Sequence, residues 1–326
     1  MSGCARMNSQ FSEKGLDSLN PARNRGPDQV QLAQNILNLI GKGKNDSEPI
    51  KLNNFNAICS HVLDKKIKIT AKIFHQIIRS KGIQKPALME LLNRAPNDFK
   101  NVYFYNSIIP YGKNRNLYDI CLNAFKEAKE KGLANVVTYN SYIDAAGKNG
   151  DLAGAAAAFE ETKEKGLANV VTYISYIDAA GKNGDLAGAA AAFEKAKKEG
   201  LSDNITYNIF IDVLIKAKNF DKAQPIFKQE LLPILQKSQK IDDKITKLDL
   251  HDLSEGAAQC ALQYLFNEIK PVQKNIRLIT GTGLHSKSSR ELYDMRHCIE
   301  GWINAHIWSW KITSIEEGAI SVTNIL

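Results

Sequence analysis

Apolar residues in the middle of the chain recur at intervals of three and four, a spacing that places them on one face of an α-helix. Two successive sets follow the spacing i, i+3, i+4, i+7: Tyr139, Tyr142, Ile143 and Ala146, then Leu152, Ala155, Ala156 and Phe159. Between them, Gly150 tolerates a left-handed turn and Asp151 is a suitable N-cap, while Gly166 is placed to end the second helix. The pattern predicts a pair of amphipathic helices joined by a tight turn.

This helix pair recurs along the chain with a period of 34 residues. Residues 135–160 return as residues 169–194 with a single change, in which Ile174 stands where the first copy has Asn140. Two aromatic series keep the same period: Tyr105, Tyr139, Tyr173 and Tyr207, and Phe125, Phe159, Phe193 and Phe227. Helix pairs of this length stack on their neighbours and share a continuous core. We therefore predict an all-α helical-repeat solenoid.

The repeats are flanked by segments of different composition. Residues 1–27 are polar and lack the apolar core of a secretory signal, so we expect a disordered leader. Residues 28–100 are expected to form a helical region with one or more degenerate repeats, ahead of the well-formed repeats at 101–237. The polar stretch 238–245 is the expected linker to a second domain at 246–326.

Charge and cysteine content narrow the class of protein. The 326-residue chain has a formal net charge of +8, which favours an anionic partner but also serves solubility. Its five cysteines stand singly, so they indicate neither a zinc site nor a disulfide framework, and we expect a reducing compartment. The sequence has no run of 18 apolar residues to span a membrane. We expect a cytoplasmic protein without a membrane partner, while arginines and serines in the leader leave organelle targeting open.

The stretch "VVTYNSYIDAAGKNGDLAGAAAAFEETKEKGLAN" resembles the pentatricopeptide repeat in its VTYN, GK.G and A...F....K..G segments, over residues 101–203. A 34-residue helix pair also fits the tetratricopeptide repeat, which binds proteins, but the Trp, Leu-Gly and Pro of that pattern are missing. Relative to the pentatricopeptide family, the units have 34 rather than 35 residues and lack the usual Pro. The resemblance implies a partner of single-stranded RNA, read at one base per repeat.

Residues that would read RNA bases follow from this resemblance, at the position after the repeated Tyr and at the last position of each unit. They pair as Asn106 with Asn135, Asn140 with Asn169, and Ile174 with Asp203, while Asn208 has no clear partner. Second-position residues would stack against the bases: Tyr103, Val137, Val171 and Ile205. In the family, the Asn–Asn pairing resembles those that prefer pyrimidines. The alternative is that these asparagines are ordinary solvated residues at helix starts.

Three lysines recur at the same period, each four residues after an aspartate: Lys148, Lys182 and Lys216. An acid and a lysine at this spacing lie on one helix face and form an ion pair worth a few tenths of a kcal/mol. The same lysines are also placed to contact RNA phosphates along a groove. The sequence leaves both roles open.

From residue 246 the pattern changes to strands and helices in the order βαβαββ, which predicts a two-layer α/β domain of about 80 residues. Asp249 and His251 alternate along the first strand and so share one face. There they can orient or deprotonate a water molecule, or hold a divalent cation such as Mg²⁺ or Mn²⁺. The loop "TGTGLHSK" suits a phosphate because its glycines allow close backbone approach before a helix N-terminus. A glycine-rich connection without catalytic use is the alternative.

The segments "LDLHDL" and "ITGTGLHSK" together resemble the two signature motifs of the small MutS-related (Smr) domain, LDLHG and TGxGxHS. The resemblance covers residues 246–326 and implies an endonuclease in which Asp249 and His251 are catalytic. Its implied phosphate-binding set is Thr280, Gly281, Gly283, His285, Ser286 and Lys287. One departure is Asp252, which stands where the family has glycine. This carboxylate either recruits a divalent ion or repels phosphate.

Both resemblances together imply a protein that binds single-stranded RNA through its repeats and cleaves it with its C-terminal domain. A non-cleaving RNA-binding factor that protects or delivers transcripts is the main alternative. A protein-binding helical scaffold is a third class, which requires the repeated asparagines to be incidental.

Overall fold

The computed structural model describes residues 100–280, 289–307, 309–316 and 318–325, together with Leu92 and Asn97, and gives side chains throughout except at 289–294. The predicted leader and nearly all of the predicted N-terminal helical region lie outside the described residues, as does most of the glycine-rich loop, at 281–288. No helix among the described residues is long and apolar enough to cross a membrane. The chain divides into two compact units, Met1–Asn149 and Gly150–Leu326.

Three helices make up the described part of the first unit: α1 (Val102–Asn114), α2 (Tyr118–Glu130) and α3 (Val136–Asn149). Asn101 caps α1 because its side chain accepts a hydrogen bond from the Phe104 backbone N–H at 3.1 Å. Phe125 of α2 stacks on Tyr142 of α3 with ring centroids 4.0 Å apart, and it meets Tyr139 edge-on at 5.2 Å. The two periodic aromatic series therefore form the contact between successive repeats in this unit.

The second unit continues the repeats with six helices: α4 (Leu152–Glu164), α5 (Val170–Lys182), α6 (Leu186–Lys198), α7 (Asn204–Lys216), α8 (Phe220–Ile226) and α9 (Leu232–Ser238), the last two joined by a π-helical segment at Phe227–Leu231. Asp151 caps α4 as predicted, accepting from the Gly154 N–H at 2.8 Å. Gly150 precedes it with φ of +85°, a left-handed conformation that favours glycine.

Aromatic stacking recurs within the second unit. Phe159 stacks on Tyr176 at 4.3 Å and Phe193 stacks on Phe210 at 4.1 Å. Ala155 and Ala158 are almost completely buried, and their small side chains let neighbouring helices approach closely. Each phenylalanine thus holds the second helix of one repeat against the first helix of the next, and the predicted helical-repeat architecture of solenoid type is confirmed.

After α9 the chain forms the predicted α/β domain, in the order β1 (Lys247–Asp249), α10 (Glu255–Gln263), β2 (Asn275–Ile279), α11 (Ser289–His306), β3 (Trp310–Glu316) and β4 (Ala319–Asn324). A π-helical segment, Tyr264–Ile269, extends α10. The strand order in the sheet is β1-β2-β4-β3, with β1 and β2 parallel and the other two pairings antiparallel. One face of the sheet is apolar and buried, as shown by Leu248, Ile276, Leu278 and Val322.

The predicted linker at 238–245 does connect α9 to β1, but it does not separate two independent bodies. The repeats from Gly150 onward and the α/β domain belong to one compact unit. The physical reason is that α10 packs against α7 and α8, so that the last repeat shares its buried surface with the α/β domain. Gln224 of α8 contributes by donating a hydrogen bond to the carbonyl of Cys260 at 3.3 Å.

Candidate nucleic-acid interface

The last residue of each repeat, predicted to read a base, caps the first helix of the following repeat. Asn169 and Thr172 form a reciprocal capping box, in which the Asn169 Oδ1 accepts from the Thr172 N–H and the Thr172 Oγ1 accepts from the Asn169 N–H, both at 3.1 Å. Asp203 caps α7 in the same way with Thr206. Asn135 accepts from the Thr138 N–H at 3.1 Å. These side chains therefore have a structural role whether or not they also contact RNA.

One predicted reading pair is brought together by this cap. The Asn106 Nδ2 donates to the Asn135 Oδ1 at 3.3 Å, and the Thr138 Oγ1 donates to the Asn106 Oδ1 at 2.6 Å. Asn135 is exposed and Asn106 half-buried. The two amides therefore lie side by side and can present donors and acceptors to the edge of a single base.

The single difference between the two near-identical repeats lies at this register. Asn140 is 8% exposed, while Ile174 is half-buried. Ile174 offers no acceptor to Thr206, whose hydroxyl donates to the Asp203 Oδ1 at 2.9 Å, as the Thr138 hydroxyl does to the Asn135 Oδ1 at 3.1 Å. The repeat that carries Ile174 thus keeps its helix cap and has no amide at the main reading position.

Asn208, also predicted to read a base, is engaged inside the protein. Its Oδ1 accepts from the Ser254 N–H at 2.8 Å, its Nδ2 donates to the Asn204 carbonyl at 2.8 Å, and the side chain is 9% exposed. The predicted reading role therefore conflicts with the structure. The physical reason is that the N-terminus of α10, the first helix of the α/β domain, lies against Asn208.

The four residues predicted to stack against bases are all exposed, in contrast to the buried apolar residues of the same helices. Their exposed fractions are 73% for Tyr103, 49% for Val137, 52% for Val171 and 57% for Ile205. Large apolar side chains at the surface lose the stabilisation of burial, about 25 cal/mol per Å² of apolar area. Because these exposed residues recur at one register of successive repeats, each repeat offers a surface to which apolar groups of a ligand can bind.

The candidate phosphate ligands Lys148, Lys182 and Lys216 are all exposed. Lys182 forms the predicted ion pair with Asp178, four residues earlier. The equivalent pair is not formed in the preceding repeat, where Asp144 pairs with Lys113 and the Lys148 Nζ donates to the Lys113 carbonyl at 3.0 Å. The i, i+4 ion pair, one of the two roles that the sequence left open, is thus formed in one repeat and replaced in another, because a lysine from the neighbouring repeat takes the carboxylate.

In the α/β domain, Asp249 and His251 lie in direct contact. The His251 Nδ1 is 2.6 Å from the Asp249 Oδ1, which also accepts from the His251 backbone N–H at 3.2 Å. Strand alternation does not bring them together as predicted, because β1 ends at Asp249 and His251 lies in the turn that follows. The turn instead folds His251 back onto the carboxylate.

The environment of His251 favours its charged form. The hydrogen bond to Asp249, together with the negative charges of Asp249 and Asp252, raises the pKa of the imidazole above its ordinary value. Asp252, 84% exposed, lies 3.1 Å from the His251 Nε2. Both ring nitrogens are therefore engaged by carboxylates, which stabilise the protonated ring.

Sequence reasoning missed two kinds of contact at these sites. Gln239, within the predicted linker, fixes Asp249: its Oε1 accepts from the Asp249 N–H at 2.7 Å and its Nε2 donates to the Asp249 carbonyl at 2.9 Å. No sequence signal pointed to it. The capping threonines were also missed, although Thr138, Thr172 and Thr206 recur at the same period as the tyrosines.

The rest of the predicted phosphate and metal site is described only in part. Thr280 is buried, and its N–H donates to the Gly318 carbonyl at 2.8 Å, while Gly281, Gly283, His285, Ser286 and Lys287 lie outside the described residues. Among the described residues, no three His, Cys, Asp or Glu side chains converge in a group that could hold a metal ion.

Comparison with protein families identifies the repeats. A family model described as "Pentatricopeptide repeat domain" matches residues 97–149 and 158–217, and a second, "PPR repeat", matches residues 137–167. Residues 97–217 therefore contain pentatricopeptide repeats. Neither model extends into the α/β domain. None of the curated proteins matches the chain.

Solved structures agree on the fold. The chain is similar to the pentatricopeptide repeat protein PPR10 of maize in complex with an 18-nt psaJ RNA element, with 20% identity and a TM-score of 0.52. A cysteine-substituted PPR10 in complex with the same element gives the same values. In both, the match covers 93% of this chain and 41% of PPR10, so this chain spans less than half the length of its relative. At this identity the likeness shows the fold alone.

Proposed function

We propose that the protein binds single-stranded RNA through its pentatricopeptide repeats, with bases stacked on the exposed second-position residues. The exposed apolar side chain in each repeat carries this proposal. Other apolar residues of these helices are buried or half-buried, whereas the exposed ones recur at one register: Tyr103, Val137, Val171 and Ile205. Base stacking on such a side chain is tolerant of sequence and worth about 1–3 kcal/mol per base. The PPR10 structures, which contain RNA, support the same class of ligand.

Base selection in this proposal comes from the amides beside the stacking residue. Asn106 and Asn135 lie 3.3 Å apart and together offer donors and acceptors to one base edge. The repeat with Ile174 and Asp203 offers a carboxylate and no amide, so we expect weaker selection there. The exposed lysines and the net charge of +8 supply attraction to phosphates.

Binding assays with matched variants test the proposal. The wild type should bind single-stranded RNA in preference to duplex DNA, and its affinity should fall steeply as salt rises, because phosphates release counterions on binding. Val171→Ala should weaken RNA binding several-fold. Val272→Ala is the control, because Val272 is also an exposed valine in the same compact unit, at 68% against 52% for Val171, but lies outside the repeats. Equal binding to duplex DNA, or equal effects of the two valine variants, would contradict the proposal.

A second function, cleavage of the bound RNA by the C-terminal domain, is proposed on a separate observation. The 2.6 Å contact between His251 and Asp249 forms a carboxylate–imidazole pair at the end of β1, within the segment that resembles the Smr motif LDLHG. Such a pair can deliver a proton to a leaving oxygen. The contact of Asp252 with the Nε2 favours the competing idea, a binder that does not cleave, because it engages the ring nitrogen that Asp249 leaves available.

Incubation of a labelled RNA pool separates these two alternatives. The assay is run with and without Mg²⁺ or Mn²⁺. Cleavage should appear in the wild type and disappear in His251→Ala, while the RNA affinity of the variant stays within a few-fold of the wild type. Retention of wild-type cleavage in both Asp249→Ala and His251→Ala would remove these residues from the chemistry. An inactive wild type that binds RNA would support the non-cleaving factor.

A further inference from the structure

The last repeat contacts the α/β domain through the position at which the first repeat carries a base reader. The two hydrogen-bonding ends of the Asn208 amide are occupied, the Oδ1 by the Ser254 N–H and the Nδ2 by the Asn204 carbonyl, both at 2.8 Å. The Ser254 hydroxyl also donates to the Asn208 carbonyl at 3.2 Å. Asn106 is also hydrogen-bonded at both ends of its amide, but it is half-buried, whereas Asn208 is 9% exposed and its Oδ1 is held by the N-terminus of α10. Reading a base through Asn208 would break buried hydrogen bonds, and a buried polar group left unpaired costs about 1–3 kcal/mol.

One turn further along α7, Asp212 makes a second contact of the same kind. Its Oδ1 accepts from the Gly256 N–H at 2.7 Å, and burial raises the pKa of this carboxyl. In the preceding repeat the residue at this register, Asp178, instead forms an ion pair with Lys182. In the last repeat, the side chains of Asn208 and Asp212, one helical turn apart, therefore both bind the N-terminus of α10.

The contact is close enough that no side chain fits at Gly256. A Cβ atom there would lie 2.7 Å from the Asp212 Oδ1, 3.0 Å from the Ile215 Cγ1 and 3.1 Å from the Asp212 Cα. The backbone of α10 thus packs directly on α7. The absence of a side chain at this position is what allows both N–H groups of α10 to reach their acceptors.

The geometry matches the way in which one repeat meets the next. In the first repeat, Asn106 contacts Asn135, the residue that caps the following helix α3. In the last repeat, Asn208 contacts Ser254, which is the N-cap of α10. The first helix of the α/β domain therefore meets α7 at the position where a further repeat would begin.

We propose that the fourth repeat selects no base, and that Asn208 and Asp212 are docking residues that fix the α/β domain at the end of the repeats. This inference rests on the proposed RNA-binding function. Ile205 remains exposed and can stack against a base without selecting it. Ser254 follows His251 by three residues, so the His251 Cα lies within about 11 Å of the Cα of Ser254, which contacts the last repeat.

The test compares two asparagines at the same register, using single-stranded RNA pools randomised at one position at a time. Asn106→Ala should change the preferred base, or reduce the preference, at one position by several-fold. Asn208→Ala should leave the preference at every position within about twofold of the wild type. If Asn208→Ala lost as much selection as Asn106→Ala, the docking proposal would be overturned. The proposed RNA-binding function would still stand, because both asparagines would then read a base.

Hydrogen exchange of the Ser254 and Gly256 amides tests the docking without RNA. Asn208→Ala should raise exchange at Ser254 at least tenfold. Gly256→Ala, which changes no residue of the repeats, should raise exchange at both amides and leave base preference unchanged. Exchange that stays at the wild-type rate in both variants would overturn the docking role, even if the protein bound no RNA.

Discussion

Replacing Asp252 with asparagine removes one of the two carboxylates that contact His251, and we expect the pKa of the imidazole to fall. The Asp252 Oδ1 lies 3.1 Å from the His251 Nε2, while Asp249 holds the Nδ1 at 2.6 Å. Asparagine keeps the shape of the side chain and removes its charge. The variant therefore isolates the electrostatic contribution of the residue that stands where the Smr motif has glycine.

The magnitude follows from the distance and the exposure. Two unit charges 3.1 Å apart interact with about 1.3 kcal/mol in a medium with the dielectric constant of water. Asp252 is 84% exposed, and exposed pairs measured in proteins give about 0.2–1 kcal/mol because solvent and salt screen them and side-chain entropy is lost. Asp249 is closer and less exposed, so Asp249→Asn should lower the pKa further than Asp252→Asn does.

The sign of the linked effect on stability is also fixed. A histidine whose pKa is raised on folding contributes stability that is fully present below its unfolded pKa and is lost as pH rises through its folded pKa. Removing Asp252 should therefore reduce stability on the acidic side and have little effect once His251 is neutral. At alkaline pH the variant and the wild type should unfold at the same denaturant concentration.

Titration of the imidazole by NMR checks this prediction, with the His251 signal assigned by its loss in His251→Gln. Asp221→Asn is the control, because Asp221 is an exposed carboxylate on α8 that makes no contact with the site. The expected order of the His251 pKa is wild type above Asp252→Asn above Asp249→Asn. An unchanged pKa in both variants would show that the carboxylates do not hold the ring as the structure has it.

Three further predictions concern the repeats. Ile174→Asn gives Thr206 the same acceptor that Asn106 gives Thr138. Because the new asparagine paired with Asp203 would resemble the pairs that read uracil in the pentatricopeptide family, we expect selection at one RNA position to sharpen toward uracil; an unchanged preference at every position would refute the reading assignment. The Asp185 carboxylate caps α6 by accepting from the Gly188 N–H at 2.8 Å, and Asp185→Ala should lower the free energy of unfolding, measured by chemical denaturation, by about 1 kcal/mol. Phe193→Ala removes a ring whose centroid lies 4.1 Å from that of Phe210, and it should lower the free energy of unfolding by about 3–5 kcal/mol. A smaller loss than that of Asp185→Ala would contradict the stacking of these two rings.

The repeat fold was determined by the sequence because its causes are local and recur. Amphipathic spacing defines each helix, Asp151 and Gly150 define the turn between helices, and a period of 34 residues brings each phenylalanine to the same neighbour in the next unit. Exposure of the stacking residues follows from the same periodicity, since a residue such as Val171 lies off the buried face. The strand and helix order of the α/β domain was predicted for the same reason, from short segments with distinct patterns.

Only the tertiary structure decided which repeated residues are free to act. Asn208 looks like Asn106 in the sequence, but its amide bonds to Ser254, which is 46 residues away along the chain. Gln239 reads as linker and Asp252 as a substituted glycine, yet both contact the Asp249–His251 pair. Asp252 meets its neighbour His251 within the turn after β1. The contacts of Asn208 and Gln239 depend on how α10 and β1 pack against the end of the repeats. Because packing of that kind joins segments without any shared period, no pattern in the sequence records it.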